Sequence, residues 1–274
     1  MILRRIIEGF KRQDGVAIAI EFMIVVVGVG LGTIVADWNA DRLDQREAER
    51  MLVRFADYLE EGFEEDDLVL EYYRVKRVWA KRTLQGLEDP LSTDDRDFVV
   101  AAFQATQTIG NDRDSSFISN MVGADFARSI DDDRLRTAVM TAMGDSDNSY
   151  FNPEDVESDY RQDIRSVVPP TLQERLHYEC GDRAYRSSYR LPETCDIVID
   201  EELAARLARE IRAIPDIERK LAWHLAKAEP YLQNITNRRL RDEDLVKMIR
   251  TGDYSLLDTA RDEEILIRRK PDME

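Results

Sequence analysis

The most apolar part of the chain is a run near its N-terminus, residues 16–36, in which Glu21 is the only charged residue. At about 1.5 Å per helical residue, a helix of this length covers roughly 30 Å, the thickness of the hydrocarbon core of a bilayer. The run is longer than the apolar region of a cleaved signal peptide, and the residues after it, 37–39, form a poor cleavage site. The pattern predicts a transmembrane helix over residues 16–36, with Trp38 as an interfacial anchor.

The helical pattern continues directly beyond this run. Apolar residues recur at helical spacing from Leu43 to Leu84, and Gly86 and Pro90 then signal the end of a helix. The sequence therefore predicts that the transmembrane helix extends outward as a stalk over residues 37–90, with Gly62 as its weakest point.

Shorter helices are predicted in the middle of the chain. Capping residues at 92–95 begin a helix that runs to about Thr108, and two helices follow at 115–129 and 132–143. A further helix is predicted from Asn152 to the residue before Pro169.

The last third of the chain has the longest amphipathic pattern. Leucine and isoleucine recur at helical spacing from Glu201 to about Arg239, which predicts long helices that bend at Pro215 and are interrupted at Pro230. A last helix is predicted at 242–250. Residues 178–200 are the least helical stretch, with a short strand predicted at 195–199.

These elements define a mainly α fold, in which one N-terminal transmembrane helix continues into a stalk and an irregular α-helical bundle follows. The predicted division comprises a cytoplasmic N-terminus (1–15), the transmembrane helix (16–36), the stalk (37–90), a helical extracytoplasmic domain (91–250) and a charged tail (251–274).

The charge of the chain narrows the choice of partners. A formal net charge of −17 and a pI near 4.7 should repel nucleic acid and anionic lipid headgroups. Because 43% of the residues are hydrophobic and recur periodically, the chain is expected to fold rather than remain an acidic disordered tail.

The orientation in the membrane follows from the flanks of the apolar run. Basic residues precede it at positions 4, 5, 11 and 12, whereas Asp37, Asp41 and Asp44 follow it, interleaved with Arg42 and Arg46. The positive-inside rule therefore predicts a cytoplasmic N-terminus, which places the C-terminal domain in the periplasm if the host is a bacterium.

The residues around the anchor resemble a family of uncharacterised bacterial single-pass membrane proteins. The similar features are a basic N-terminus, Glu21, the Val/Ile/Gly-rich residues 24–30 and the exit at 37–39, where Asp37 stands in place of the family's more frequent Asn. A second similarity runs from Phe117 through Gly123 and Ile130 to Leu135 and Arg136. The resemblance covers about a third of the chain and implies a bacterial inner-membrane setting, but the family supplies no activity to transfer.

One side of the predicted transmembrane helix collects its unusual residues. Glu21 and Gly28 are seven residues apart, and Gly32 follows in GxxxG spacing, which permits close approach of a second helix. Glu21 is either a contact or proton-responsive site within the membrane, or a carboxylate that stays hydrated near the headgroups. We expect these three residues to form a surface for helix association.

Cys180 and Cys195 are the only cysteines. Outside the cytoplasm they can form a disulfide, which would stabilise the fold by about 3 kcal/mol in the chain-entropy model. The alternative is a pair of unrelated thiols. A disulfide would favour the N-inside orientation, because cytoplasmic thiols remain reduced.

Other candidate chemistry has simpler explanations. The acidic run at 60–67 is expected to be a solvated helix face, and Trp79 and Trp223 are expected to pack in the core. Glu174 and His177 have the spacing of a di-iron motif, but the second copy that such a site needs is missing from the sequence. The sequence contains no nucleophile motif, no Walker loop and no dinucleotide-binding fingerprint. We therefore predict no metal site and no cofactor.

The leading hypothesis is therefore a non-enzymatic, single-pass inner-membrane accessory or scaffold protein. Its expected partners are the lipid bilayer and either further copies of itself or other membrane-protein subunits. The alternative is an extracytoplasmic sensor or ligand-binding module that acts through a membrane partner.

Overall fold

The computed structural model describes residues 15–110, 116–123, 126–147, 157–185 and 188–253. Within these residues the chain is mainly α, with a long N-terminal helix followed by a helical bundle, which confirms the predicted fold class. The helices are α1 (Gly15–Glu88), α2 (Asp95–Gln104), α3 (Ser116–Gly123), α4 (Asp133–Asp147), α5 (Asp159–Val167), α6 (Pro170–Cys180), α7 (Glu201–Arg212) and α8 (Ile217–Thr251). A 3-10 turn spans Phe126–Ser129, and a small antiparallel hairpin pairs β1 (Arg183–Tyr185) with β2 (Ser188–Arg190).

Helix α1 runs without a break from the apolar run to Glu88. It has 74 residues, and at 1.5 Å per residue it is about 110 Å long. Gly62 does not interrupt it, because the neighbouring residues are held by packing. Leu59 is buried, and the carbonyl oxygen of Phe63 accepts a hydrogen bond from Arg239 of α8 over 3.2 Å. These contacts outweigh the roughly 1 kcal/mol that a glycine costs inside a helix.

Helix α8 packs antiparallel along α1. The ion pairs that join the two helices run in opposite residue order; among them are Asp57 with Arg250, Asp66 with Arg238 and Arg77 with Glu229. The buried residues of α1 begin at Ala48. Most of the segment predicted as a stalk is therefore a core helix of the bundle, and the C-terminal helix lies against it.

The bundle contains two hydrophobic clusters that follow each other along α1. The cluster nearer the apolar run joins Phe55 and Leu59 of α1 to α3, α4 and the end of α8. The other joins Tyr72 and Trp79 of α1 to α2, α5, α6, α7 and the first half of α8. Each fully buried large apolar side chain contributes about 1.5–3 kcal/mol to the free energy of unfolding. Each end of the bundle is therefore stabilised by a hydrophobic core of its own.

Gly86 allows the chain to fold back at the end of α1. A Cβ atom at this position would lie 2.5 Å from Cδ2 of the buried Phe98 side chain in α2. The missing side chain thus lets α2 pack closely against α1. The Asp94 side chain then begins α2 by accepting a hydrogen bond from the amide of Arg96 over 2.8 Å.

Several local predictions are wrong in detail. Helix α8 continues through Pro230 and includes the separate helix predicted at 242–250, because the buried Ala228 and Leu232 anchor it on both sides of the proline. Pro215 separates α7 from α8 instead of bending one helix. Residues 195–199 are irregular rather than a strand. The predicted helix start at Asn152 lies outside the described residues.

Candidate functional site

The first part of α1 stands apart from the bundle. Between residues 20 and 47 none of the described side chains is buried, and Phe22 and Ile24 are 71% and 65% exposed. Among the described residues, α1 is the one helix that is long and apolar enough to cross a membrane, by length and composition. This segment is the first candidate site, and its chemistry is that of a surface suited to lipid or to another apolar helix.

The predicted association surface lies within this segment. Gly28 and Gly32 lie on one side of α1, and a Cβ atom at either position would meet nothing within 4 Å. Glu21 belongs to the same helix and comes seven residues before Gly28; its side chain is not among those described. Helical geometry thus brings the three predicted residues to one side of α1, and the glycines face open space.

Trp38 lies just beyond the apolar run. Trp38 is 59% exposed, and the guanidinium carbon of Arg42 lies 4.8 Å from its ring centroid. An aromatic ring with a cation one turn further along the helix is typical of a membrane–water interface.

Cys180 and Cys195 are joined in a disulfide, with their Cα atoms 5.3 Å apart. Cys180 is the last residue of α6 and is buried, and Cys195 lies in the irregular segment that precedes α7. The bond fixes this segment against the bundle next to Trp79, whose indole N–H donates to the carbonyl oxygen of Pro192 over 2.8 Å.

The second candidate site is a polar interior around residues 105–110, which we call the buried loop. It follows α2 in the region where the sequence predicted further helix. Its carbonyl oxygens are bound by side chains of three surrounding helices: Tyr73 of α1 donates to Ile109 over 2.9 Å, Arg161 of α5 donates to Thr106, and His224 of α8 contacts Ala105 at 3.2 Å. A buried loop is stable only if such partners replace water, and here side chains supply them.

His224 joins three elements in this interior. Its Nε2 must carry the hydrogen, because the Ala105 carbonyl oxygen that it contacts can only accept. Its Nδ1 then accepts from the hydroxyl of Ser158, 2.7 Å away. Burial lowers the pKa of His224 to about 3, and the positive charge of Lys76 adds to this effect. The imidazole is therefore neutral at physiological pH.

Lys76 is the most unusual residue of the interior. Only 1% of it is exposed. In the described part of the chain its ammonium group has no hydrogen-bond acceptor or carboxylate partner, and it lies 5.2 Å from the ring centroid of Tyr73. Burial lowers its pKa to about 7, and the charges of Arg161 and Arg77 lower it further. The charge of Lys76 thus changes near neutral pH.

Two arginines of α5, Arg161 and Arg165, bind polar groups of the buried loop. Arg165 donates to the Thr106 hydroxyl and to the Gln107 side chain, both over 3.2 Å, and burial lowers its pKa to about 10. The carboxylate of Asp182 accepts from Tyr72 over 2.6 Å, while burial raises the pKa of Asp182. This interior thus contains an ionisable side chain, Lys76, whose charge depends on pH.

Sequence reasoning missed Lys76 and His224 as notable residues. The available signal for Lys76 was its position four residues after Tyr72 and three before Trp79, on the stripe of α1 that is otherwise apolar. His224 offered no comparable signal, because its polar partners are distant in the sequence.

Two other predicted features differ in the structure. The acidic run at 60–67 is not wholly solvated, since Asp66 is fully buried and binds Arg238 over 2.6 Å. Trp223 is 64% exposed and does not pack in the core, whereas Trp79 does. Glu174 and His177 are exposed on α6, and within the described residues no cluster of histidine, cysteine and carboxylate groups is arranged to hold a metal ion.

Comparison with protein-family models, with curated proteins and with solved structures finds no match to this chain.

Proposed function

We propose that this chain is a single-pass protein of the bacterial inner membrane that acts, without catalysis, as an accessory or scaffold subunit. The observation that carries the proposal is the unburied apolar segment at the start of α1, which continues into the core of the bundle. Placing one large apolar side chain such as Phe22 or Ile24 in lipid instead of water is worth about 1.5–3 kcal/mol. A segment with many such side chains is therefore strongly driven into a bilayer.

The continuity of α1 supports a permanent anchor rather than a removable leader. The helix that contains the apolar run also supplies Phe55 and Leu59 to the hydrophobic core. Lipid-embedded and core residues thus share one uninterrupted helix.

Two features support an N-terminus in the cytoplasm and a bundle in the periplasm. The segment before the apolar run is basic, and the Cys180–Cys195 disulfide belongs to an oxidising compartment. The resemblance to bacterial single-pass proteins around residues 21–39 agrees with this placement.

Assembly is proposed to occur through the side of α1 that carries Glu21, Gly28 and Gly32. Glycines in this spacing let two helix backbones approach closely, and in lipid such packing drives association. The partner helix belongs to a second copy of this chain or to another membrane subunit.

The test is to extract the full chain from native membranes in mild detergent and to measure particle mass and co-purifying polypeptides. Gly28→Leu and Gly32→Leu should each reduce the assembly. Gly30→Leu is the matched control, because it adds the same side chain on the opposite side of the helix and should leave the assembly intact. A monomer in the wild type, or equal effects of all three variants, would refute the association surface.

A sensor or ligand-binding module is the second candidate, and the buried ammonium group of Lys76 favours it. The charges of Arg161 and Arg77 act on the same ammonium group, and a small bound anion would offset them. A thermal-shift screen of the purified chain with chloride, phosphate and short carboxylates tests this function. A rise in Tm that Lys76→Met abolishes would support it, and the absence of any shift would count against it.

A further inference from the structure

An unpaired basic stripe follows the proposed membrane segment. Arg42, Arg46, Arg50 and Arg54 succeed each other at four-residue spacing on α1, and all are exposed. In the described part of the chain none of them forms an ion pair with a carboxylate. By contrast, Arg74 further along the same helix binds two carboxylates.

Distance along the helix divides the stripe into two pairs. The proximal arginine pair, Arg42 and Arg46, lies about 9 and 15 Å beyond the end of the apolar run, and the distal arginine pair, Arg50 and Arg54, about 21 and 27 Å beyond it. The headgroup layer is roughly 5–8 Å thick on each side of the hydrocarbon core. Attraction between exposed charges fades over about 8 Å at physiological salt. The proximal pair therefore lies closer to the headgroups and interacts with their charge more strongly than the distal pair does.

Two side chains of the stripe, those of Arg42 and Arg50, point back toward the apolar run. Side chains on a helix tilt toward its N-terminus, and the apolar run lies on that side. The Arg42 guanidinium accordingly lies over the ring of Trp38, 4.8 Å from its centroid, one turn nearer the run. Arg50 likewise reaches back, and its Nε donates to the carbonyl oxygen of Arg46 over 3.1 Å.

Most acidic residues of this region lie on the other side of α1. At 3.6 residues per turn, Asp37, Asp41 and Asp44 lie about 140° or more around the axis from Arg46. Glu47 and Glu49 lie about 100° and 60° away, and both are further from the apolar run. The chain as a whole is acidic and should be repelled by anionic lipid, but this face is locally basic.

We propose that the proximal arginine pair binds the phosphate groups of anionic phospholipids at the surface of the membrane that α1 crosses. Guanidinium groups bind phosphate through paired, charge-assisted hydrogen bonds. Lipid is the expected occupant because the pair adjoins the apolar segment, which would hold the acyl chains beside it. This inference rests on the proposed membrane insertion.

The experiment titrates the full chain in mild detergent with phosphatidylglycerol or phosphatidylcholine and measures each Kd by native mass spectrometry. Arg42→Gln with Arg46→Gln should weaken phosphatidylglycerol binding by about fivefold for each arginine removed. Binding of phosphatidylcholine should not change. The matched control, Arg50→Gln with Arg54→Gln, removes the same charge and should change either affinity by less than about twofold.

Three outcomes overturn the proposal. The first is equal affinity of the wild type for the two lipids, and the second is an equal loss of lipid affinity in both double variants. The third is loss of a co-purifying polypeptide from the proximal variant with unchanged lipid binding, which would assign the pair to a protein partner. Extraction of native membranes with alkaline carbonate separates this test from the proposed function. Release of the chain by carbonate refutes membrane insertion itself, whereas a retained chain without lipid preference refutes only the role of Arg42 and Arg46.

Discussion

The hydroxyl of Ser158 donates a hydrogen bond to Nδ1 of His224 over 2.7 Å and, through the same oxygen, accepts one from the amide of Arg161 over 3.2 Å. Ser158 thus begins α5 as its N-cap while binding α8. His224 in turn contacts the buried loop at Ala105. One small hydroxyl therefore fixes the relative positions of α5, α8 and the loop between α2 and α3.

Acidification should destabilise the bundle through His224. Its pKa is about 3 in the folded chain, whereas the ordinary pKa of histidine is 6.5. Between these two pH values the unfolded chain therefore takes up a proton that the folded chain does not. The free energy of unfolding should therefore fall as the pH drops below about 6.5. Denaturant unfolding near neutral pH and near pH 5 should show a smaller fall for His224→Gln than for the wild type. The exposed His177→Gln variant is the control and should keep the full fall; equal behaviour of the two variants would contradict the prediction.

Raising the pH above neutrality should stabilise the chain through Lys76. The folded pKa is about 7 and the ordinary value is 10.5, so in this window the unfolded chain again holds the extra proton. The free energy of unfolding should rise with pH from about 7 upward, and the cost of burying the charge is present in full below that value. Lys76→Met should be more stable than the wild type near neutral pH and should lack this rise. Lys81→Met, an exposed position on the same helix, should retain it.

Removing Arg238 should destabilise the contact between α1 and α8 strongly. Its partner Asp66 is fully buried, so Arg238→Met removes a cation that a buried carboxylate binds, a change that typically costs about 3–5 kcal/mol. The double variant Asp66→Leu with Arg238→Met should recover much of that loss. Arg219→Met breaks an exposed pair with Asp216 and should cost no more than about 1 kcal/mol. A small loss for Arg238→Met in chemical denaturation would show that the buried pair contributes little.

Breaking the disulfide should lower stability by about 3 kcal/mol, the value expected for closure of a loop of this length. Cys180→Ala with Cys195→Ala should therefore melt below the wild type, and a reductant should lower the Tm of the wild type only. Thiol labelling in intact cells should find both cysteines blocked. Free, reactive thiols in the cell would contradict both the bond and the proposed periplasmic placement.

The apolar segment of α1 and the helical class were predictable because both depend on local patterns. A 21-residue apolar run and a repeat of 3.6 residues are written directly in the sequence. The continuity of α1 through Gly62 and of α8 through Pro230 was not predictable, because in both cases contacts between the two helices override the local preference of a single residue.

The polar interior was hidden for a related reason. Asp66 belongs to a run of carboxylates that suggests a solvated surface, and the ion pair with Arg238, from a distant part of the chain, offsets the cost of its burial. Residues 105–110 similarly have polar partners on α1, α5 and α8, so no window of sequence contains the reason that this segment leaves the helical conformation.

Because α1 is one continuous helix, the rotation of its apolar segment about the helix axis is fixed relative to the bundle. Each residue inserted or deleted between Trp38 and Ala48 would turn the Gly28 and Gly32 side by about 100° relative to the core without altering either part. The number of residues in this short exposed segment, rather than their identity, thus decides which side of the bundle would face a neighbour bound at Gly28 and Gly32.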